Sequence, residues 1–192
     1  MIILSFDVGI RNLAYCQIDS ITGDILDWNV IDCTVSKSGN VIVRLIEELE
    51  SLPNLLESDT ILIEKQPSFN PQMRIISTAI YVYFTLRLNY ELGIKTKILY
   101  YSAKNKLKLC DNTESFQNKN DEKCDGTLRG KKGKRKSYYY NKKAAIEQTS
   151  FFIENKSLTF VLYEKYVNFF NSSKKKDDLA DSYLQALAYI KN

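Results

Sequence analysis

The chain has 192 residues, of which 44% are hydrophobic, and these values suit one folded domain with a substantial core rather than a disordered chain. Its 27 basic and 23 acidic residues give a net charge of +4, and it contains no histidine. The lack of histidine excludes Ser-His-Asp triads, Cys-His dyads and histidine-ligated zinc. Any catalysis must therefore use carboxylates, lysine, tyrosine, cysteine or a bound metal.

The cysteines and the N-terminus indicate the cellular setting. Cys16, Cys33, Cys110 and Cys124 form no Cys-x-x-Cys pair, so reduced thiols are favoured over a zinc finger, and pairing of Cys110 with Cys124 stays open. The N-terminus lacks signal-peptide features, and no apolar run approaches the roughly 20 residues of a membrane span. We therefore expect a soluble, intracellular protein with no membrane partner.

The chain begins with a predicted antiparallel meander. Residues 2–8 form an almost wholly apolar run that is typical of a buried strand. Leu13 to Asp19 alternates as a second strand, and Thr22-Gly23-Asp24 is a hairpin signal. Ile25 to Cys33 then forms the third strand, which completes the meander.

Helices and strands alternate in the next segment. The predicted elements are a helix that follows Ser38-Gly39-Asn40 and ends at Leu52-Pro53, a strand from Thr60 to Ile63, a helix from about Pro71 to Leu92 that Gly93 caps, and a strand from Thr96 to Tyr101. Such alternation implies parallel pairing through right-handed crossovers. The predicted fold class is α/β, with a mixed five-stranded sheet of three antiparallel and then two parallel strands, flanked by helices.

The second half of the chain is first polar and then helical. Residues 112–136 are rich in Asn, Asp, Lys, Gly and Ser, which indicates an insertion or a mobile loop. Residues 102–143 hold 13 basic and 5 acidic residues, a local charge of +8 that indicates a polyanionic partner, most simply nucleic acid. Three helices should follow, from Lys142 through Phe152, from about Leu158 to Phe170 and from about Lys176 to Ile190.

Four carboxylates lie at the ends of predicted elements. Asp7 follows the first strand, Glu64 follows the fourth, and Asp178 and Asp181 lie three residues apart at the start of the last helix. Taken singly, Asp7 equally suits a turn cap, and acids in a first helical turn offset the helix dipole. Together these acids would repel one another and require cations. Mg²⁺ prefers such oxygen ligands, and two ions about 3.5–4 Å apart suit phosphodiester hydrolysis by activated water.

The motifs around these acids resemble the poxvirus-type Holliday junction resolvases, in the RuvC-like branch of the ribonuclease H-like superfamily. Mitochondrial resolvases share much of the pattern. The similar motifs are Phe6-Asp7-Val8-Gly9-Ile10-Arg11-Asn12-Leu13-Ala14-Tyr15, Ile63-Glu64-Lys65-Gln66-Pro67, Asn70-Pro71-Gln72-Met73-Arg74 and Lys176-Asp177-Asp178-Leu179-Ala180-Asp181.

The resemblance covers about residues 1–108 and 138–192. It implies a ribonuclease H-like fold and a single nuclease domain over residues 1–192. The segment 112–136 departs from the family pattern and would be a polar, basic insertion or mobile loop within that domain.

The resemblance also implies the roles of individual residues. The metal-binding and catalytic acids would be Asp7, Glu64, Asp178 and Asp181. They would hold two Mg²⁺ ions, with Mn²⁺ as a substitute, and Asp7 would bridge the two. The family has a catalytic lysine shortly after the fifth strand, for which Lys106 is our choice and Lys104 the alternative. Such a lysine can bind the scissile phosphate, whereas a solvated surface lysine is the plain alternative at either position.

Candidate DNA contacts lie in the loops next to these motifs and in the basic segment. The polar residues after the fourth strand equally suit loop and helix-capping chemistry. Residues 127–143 hold eight basic residues and no acid, with three tyrosines interleaved, which suits a DNA-binding arm, a nuclear-localisation-like run or a solvated loop. The candidates are Arg11, Asn12, Gln66, Asn70, Gln72, Arg74, Lys104, Arg129, Lys131, Lys132, Lys134, Arg135 and Lys136.

The function implied by the resemblance is a Mg²⁺-dependent, structure-selective endonuclease that resolves four-way DNA junctions. A symmetric homodimer, with the long helix at its interface, would make paired nicks that leave 5′-phosphates. Such an enzyme acts in DNA recombination, DNA repair and the resolution of viral replication concatemers, and a viral member would work in the host-cell cytoplasm.

Three alternatives stay open at this point. A nuclease of the same fold could act on another substrate, such as an RNA–DNA hybrid or a flap. The basic segment could belong to a non-catalytic nucleic-acid-binding module. A strand followed by Asp-x-Gly also occurs in actin-like ATPases, although this chain is short for their two lobes and shows no second phosphate loop.

Overall fold

A computed structural model describes residues 1–34, 39–110, 131–154 and 160–191, and at 107, 108, 110, 131–138 and 160–163 it describes the backbone alone. Several expectations lie outside the described residues. They concern Arg129, the pairing of Cys110 with Cys124, the residues from 112 to 130, and the side chains of Lys131, Lys132, Lys134, Arg135 and Lys136.

Five strands form one mixed sheet. They are β1 (Ile2–Asp7), β2 (Leu13–Asp19), β3 (Ile25–Ile31), β4 (Thr60–Glu64) and β5 (Lys97–Tyr101). Their order across the sheet is β3-β2-β1-β4-β5. The first three pair antiparallel, whereas β4 runs parallel to β1 and to β5. This topology confirms the predicted α/β fold class.

Helices cover the sheet. Within the described ranges the α-helices are α1 (Val41–Glu50), α2 (Pro71–Phe84), α3 (Lys104–Cys110), α4 (Lys131–Glu154), α5 (Phe160–Ser172) and α6 (Lys176–Ile190). A 3₁₀ helix, Pro53–Glu57, follows α1, and a π-helix, Thr85–Glu91, continues α2. In the same ranges, none of these helices has the length and apolar character needed to cross a membrane.

Two helices differ from the sequence expectation. Helix α4 begins at Lys131, so residues 131–136 have helical backbone rather than belonging to a loop. Lysine and arginine favour helices, but residues 131–136 contain no large apolar residue, so the segment shows no amphipathic helical pattern. Helix α3 has no counterpart among the predicted elements, because its seven residues are too few to show a helical period.

Strand alternation places Asp7 and Glu64 on the same face of the sheet. In β1, Asp7 shares its face with Ile3, and in β4, Glu64 shares its face with Leu62, because alternate residues of a strand point the same way. Ile3 and Leu62 belong to the core that α6 covers. Since Phe6 pairs with Ile63 in the parallel register, the two acids that follow them are neighbours across the sheet.

The opposite face of the sheet is covered by α1 and α2. Leu4 and Phe6 of β1 and Ile61 and Ile63 of β4 pack there with residues of both helices. Both faces are therefore buried, and the acids can meet solvent only at the end of the sheet where β1 and β4 finish.

Trp28 of β3 anchors the start of α6. Its indole Nε1 donates to the Leu179 carbonyl oxygen at 3.1 Å and to Ser182 Oγ at 3.3 Å. Its ring stacks on Phe170 of α5, with 5.2 Å between ring centroids and 9° between ring planes. One aromatic side chain thus joins the sheet to two helices and fixes the helix turn that carries Asp181.

Gln185 provides a second connection between α6 and the sheet. Its buried Nε2 donates to Ser5 Oγ at 3.0 Å and to the Phe6 carbonyl oxygen at 3.1 Å. Small residues such as Ala180 and Ala186 are fully buried in this packing, which lets the helix lie close to the strands. The position of α6 relative to Asp7 is therefore set by direct hydrogen bonds as well as by packing.

We expect Trp28→Ala to reduce the free energy of unfolding by about 3–5 kcal/mol, because it leaves a cavity between β3, α5 and α6. Urea unfolding followed by circular dichroism would measure the change. Leu26→Ala, on the same strand but 41% exposed, should cost less than about 1 kcal/mol. Equal losses for the two variants would contradict the anchoring role.

Candidate active site

A buried lysine joins three of the predicted acids. Lys106 Nζ lies 3.2 Å from Glu64 Oε1, 3.5 Å from Asp7 Oδ1 and 3.7 Å from Asp181 Oδ1. Its side chain, which α3 supplies, is only 7% exposed. Three carboxylates from β1, β4 and α6 therefore share one ammonium group at the end of the sheet.

The surroundings of the cluster shift the pKa values of Asp7 and Glu64, the two acids at strand ends, in opposite directions. Burial raises the pKa of Asp7 well above its usual range, and the nearby Glu64 and Asp181 add to this, although Lys106 opposes it. Burial also acts to raise the pKa of Glu64, but the Lys106 charge and hydrogen bonds from Asp7, Lys106 and Gln66 lower it overall. Without another cation, Asp7 is thus the favoured site for a proton and Glu64 the favoured carboxylate.

Lys106 stays charged in this environment. Burial acts to lower its pKa, but the charges of Asp7, Asp181 and Glu64 raise it overall. The pKa of Asp181 is raised by burial and by Glu64, with Lys106 opposing the rise. One ammonium does not fully balance three carboxylates, so the cluster favours a further positive charge.

Asp178 faces a neighbouring cleft. Among the described ion pairs, Lys106 contacts the other three acids but not Asp178. Burial and the adjacent Asp177 raise the pKa of Asp178. The cleft has a volume of about 510 Å³ and is lined by Asp7, Val8, Gly9, Ile10, Arg11, Asn12, Thr34, Met73, Lys142 and Asp178.

The acids have the chemistry of a site for a hard cation. Their donors are carboxylate oxygens, and the chain has no histidine, a set that suits Mg²⁺ or Mn²⁺. Among the residues that the structure describes, no three acidic, cysteine or histidine side chains form a ready-made metal group. Lys106 lies where three of the acids meet, and its ammonium supplies there the positive charge that a metal ion would supply. The residues that could hold a metal are Asp7, Glu64, Asp178 and Asp181.

Gly9 shapes the wall of the cleft. A Cβ atom at this position would lie 2.5 Å from the backbone oxygen of Asn12, closer than a side chain can approach. Only glycine therefore allows the tight turn between β1 and β2. The turn is further held by the Cys33 backbone N–H, which donates to the Ile10 carbonyl oxygen at 2.8 Å. It brings Arg11 and Asn12 to the cleft beside Asp7.

The residues after β4 that the sequence predicted to contact DNA differ in the contacts they make in the structure. Gln66 Nε2 donates to Glu64 Oε2 at 3.0 Å, so it orients that carboxylate. Asn70 caps α2, because its side chain accepts a hydrogen bond from the Met73 N–H at 3.4 Å. Gln72 and Arg74 are exposed on the first turns of the same helix.

The structure distinguishes the two lysines that the sequence left as alternatives. Lys106 is buried among the acids, whereas Lys104, two residues earlier, is exposed. Residues two apart on a helix point in different directions, so only one of them can face the cluster.

Sequence reasoning missed Lys142 of α4. Its ammonium pairs with Asp177, and its side chain lines the cleft near Asp7 and Asp178. Burial acts to raise the pKa of Asp177, but the hydrogen bond and charge of Lys142 lower it overall. In the sequence, Lys142 lies where the basic segment ends and a helical pattern of apolar residues begins. Its partner Asp177 is 35 residues further along the chain, so this contact could not be predicted from the sequence.

The sequence matches a protein family and an individual relative. The sequence model of the family described as "Poxvirus A22 protein" matches residues 1–103. An uncharacterized protein of Acanthamoeba polyphaga mimivirus, L451, is 29% identical over 154 residues, which are 77% of this chain and 33% of that protein. The chain thus spans about one third of the length of that relative.

Several solved structures share the fold. The yeast mitochondrial Holliday junction resolvase Ydc2 has a TM-score of 0.62 and 17% identity, over 98% of this chain and 78% of that one. Fowlpox virus resolvase in complex with Holliday junction DNA has a TM-score of 0.57 and 21% identity, over 100% and 97%. Thermus thermophilus RuvC in complex with a Holliday junction substrate has a TM-score of 0.53 and 11% identity, over 98% and 91%. These likenesses confirm the predicted ribonuclease H-like fold.

We expect Lys106→Gln to lower the free energy of unfolding by about 3–5 kcal/mol in the presence of a chelator, because it leaves buried carboxylates without their shared cation. Lys104→Gln, on the same helix but exposed, should change it by less than about 0.5 kcal/mol. Urea unfolding of both variants would measure the difference. Similar small losses for the two would show that the cluster does not depend on Lys106.

Proposed function

Because this chain belongs to the poxvirus A22 protein family, whose sequence model matches residues 1–103 of its 192, we propose that it is a Holliday junction resolvase. It would be a crossover junction endodeoxyribonuclease, a hydrolase that cuts phosphodiester bonds in four-way DNA junctions. The observation that carries the proposal is the meeting of Asp7, Glu64 and Asp181 around Lys106 at one end of the sheet. We further propose that residues 1–192 form one nuclease domain, with 112–136 as a basic insertion.

The donor set supports dependence on a divalent cation. Asp7, Glu64, Asp178 and Asp181 would hold Mg²⁺, with Mn²⁺ as a substitute, and Asp7 both contacts Lys106 and lines the cleft. Two bound ions would supply Lewis-acid activation of water and phosphate, which replaces the missing histidine base. Burial, together with neighbouring carboxylates, raises the pKa values of Asp7, Asp178 and Asp181, and a bound cation would stabilise the charged form of each.

The protein's own residues supply positioning and charge. Lys106 would meet the scissile phosphate and neutralise the charge that develops on it during cleavage. Gln66 would hold Glu64 in place through its 3.0 Å hydrogen bond. Arg11, on the wall of the cleft, would contact a phosphate of the bound strand. Cleavage in this arrangement would leave a 5′-phosphate and a 3′-hydroxyl.

Paired cleavage of a two-fold substrate calls for two active sites, and α2 offers a surface for dimerisation. Ile75, Val82, Leu86 and Tyr90 lie on α2 and its π-helical continuation, and each is at least 47% exposed. Their spacing of seven and four residues places them along one side of the helix. We propose that a second copy of this chain covers this stripe through an isologous contact, so that the homodimer presents two sites to one junction.

The proposed reaction serves DNA recombination, DNA repair and the resolution of viral replication concatemers. For a viral protein of this family, the proposed place of action is the host-cell cytoplasm. A nuclease of the same fold that acts on a flap or an RNA–DNA hybrid is the main alternative. Competition of these substrates with a labelled junction at fixed salt would separate the possibilities.

We expect Asp178→Asn to lower kcat for cleavage of a synthetic four-way junction in Mg²⁺ by about a thousandfold or more, equivalent to roughly 4 kcal/mol of transition-state stabilisation. The reason is the loss of a charged oxygen ligand, while the DNA-binding surface is kept. Cleavage mapped on all four strands, with linear duplex as the comparison substrate, would measure it.

A matched control is Glu57→Gln, an exposed acid just before β4 and so at the end of that strand opposite Glu64. It should cleave at the wild-type rate. Wild-type activity in Asp178→Asn would remove Asp178 from the site, and failure of the wild-type protein to nick the junction would reject the proposed function.

We expect Leu86→Glu to shift the protein from dimer to monomer in sedimentation-velocity measurements, because it places a charge in the centre of the apolar stripe. Ile21→Glu, at an 84% exposed position in the β2–β3 turn, should leave the dimer intact. A wild-type protein that stays monomeric at all concentrations would contradict the dimer proposal.

A further inference from the structure

Lys175 lies beside the active-site cleft on the side of α6. Its side chain is exposed. With the Asn12 amide oriented to satisfy its neighbours, the Asn12 side-chain oxygen accepts a hydrogen bond from Lys175 Nζ at 3.2 Å. The amide nitrogen of Asn12 then donates to the Arg11 carbonyl oxygen at 3.1 Å. The lysine is thus tied to the β1–β2 turn, all five of whose residues, Val8 to Asn12, line the cleft with Asp178.

A lysine is an unfavourable choice for the helix that it precedes. Lys175 is the N-cap residue of α6, and its side chain makes no capping hydrogen bond. N-cap positions favour Ser, Thr, Asp and Asn, and a positive charge at a helix N-terminus opposes the helix dipole. The stability of α6 therefore does not explain a lysine here.

The cleft needs a cation of this kind if it receives DNA. Asp7 and Asp178 on its lining would repel an incoming phosphate backbone. Lys106 is buried within the acid cluster, and the Lys142 ammonium is paired with Asp177. Lys175, like Arg11 on the cleft lining, is exposed, and the neutral amide of Asn12 holds it beside the cleft, so its charge is available to a phosphate there.

We propose that Lys175, oriented by Asn12, is a positioning residue that binds a backbone phosphate next to the scissile one and holds the DNA strand in the cleft. The proposal rests on the proposed function, since it takes branched DNA as the ligand. Lys175 does not contact the reacting atoms. Its contribution lies in the affinity and placement of the strand, whereas Lys106 acts on the phosphate that is cleaved.

The test compares Lys175→Gln with Lys174→Gln. Both residues are exposed lysines next to each other in the chain, so the two variants remove the same charge from almost the same place. We expect Lys175→Gln to raise KM and the Kd for a four-way junction by about tenfold, with kcat changed by less than about twofold. Its slope of log Kd against log salt concentration should fall by about one, because one phosphate contact is lost. Binding would be measured in a chelator, which stops cleavage.

Two further variants separate positioning from a structural role. Lys175→Arg should restore most of the affinity and the salt slope, because it returns the positive charge. Lys175→Ser should weaken binding like Lys175→Gln while its Tm stays at or above that of the wild type, because serine is a favourable N-cap. A fall in Tm that accompanies the loss of binding would show a structural role and overturn the inference.

Failure of this inference can be distinguished from failure of the proposed function. If the wild type cleaves the junction but Lys175→Gln matches Lys174→Gln in KM and in salt slope, only the role of Lys175 is rejected. If the wild type neither binds nor cleaves the junction in Mg²⁺, the proposed function fails and the inference fails with it.

Discussion

The shared contact of Lys106 with Asp7, Glu64 and Asp181 is the interaction on which the rest of the site depends. Carboxylates gathered away from water repel one another, and each loses hydration energy on burial. A single ammonium, 3.2–3.7 Å from all three carboxylates, offsets part of their mutual repulsion but leaves an excess of negative charge. The site therefore tolerates its buried acids and keeps an excess of negative charge that would favour a bound cation.

Charge is separated across the cleft. The acids lie inside, at the end of the sheet, while Arg11 and Lys142 line the cleft and Lys175 contacts Asn12 on its lining. In the proposed function, DNA phosphates would meet these basic groups, while a cation held by the acids would meet the phosphate to be cleaved. Trp28 and Gln185 hold α6 against the sheet, so the two sides of the cleft keep a defined separation.

Much of the fold could be predicted from local patterns. Alternating strands, the hairpin at Gly23 and the helical period of α6 are local features, and the predicted bounds of β2 and α6 agree with the structure. The positions of Asp7 and Glu64 at strand ends also followed from the sequence. Helix α3 and the early start of α4 could not be predicted, because a short segment and a run of lysines both lack an apolar period.

The sequence by itself limited the available chemistry: without histidine, and with acids at the ends of strands and of one helix, it favoured carboxylates acting with a bound cation. Only the tertiary structure decided which lysine meets them. It placed Lys106 rather than Lys104 in the cluster, turned Asp178 toward the cleft, and brought Lys142 and Lys175 beside it. The physical reason is that burial and charge proximity arise between segments far apart in the chain, which meet only when the sheet register and the packing of α6 are formed.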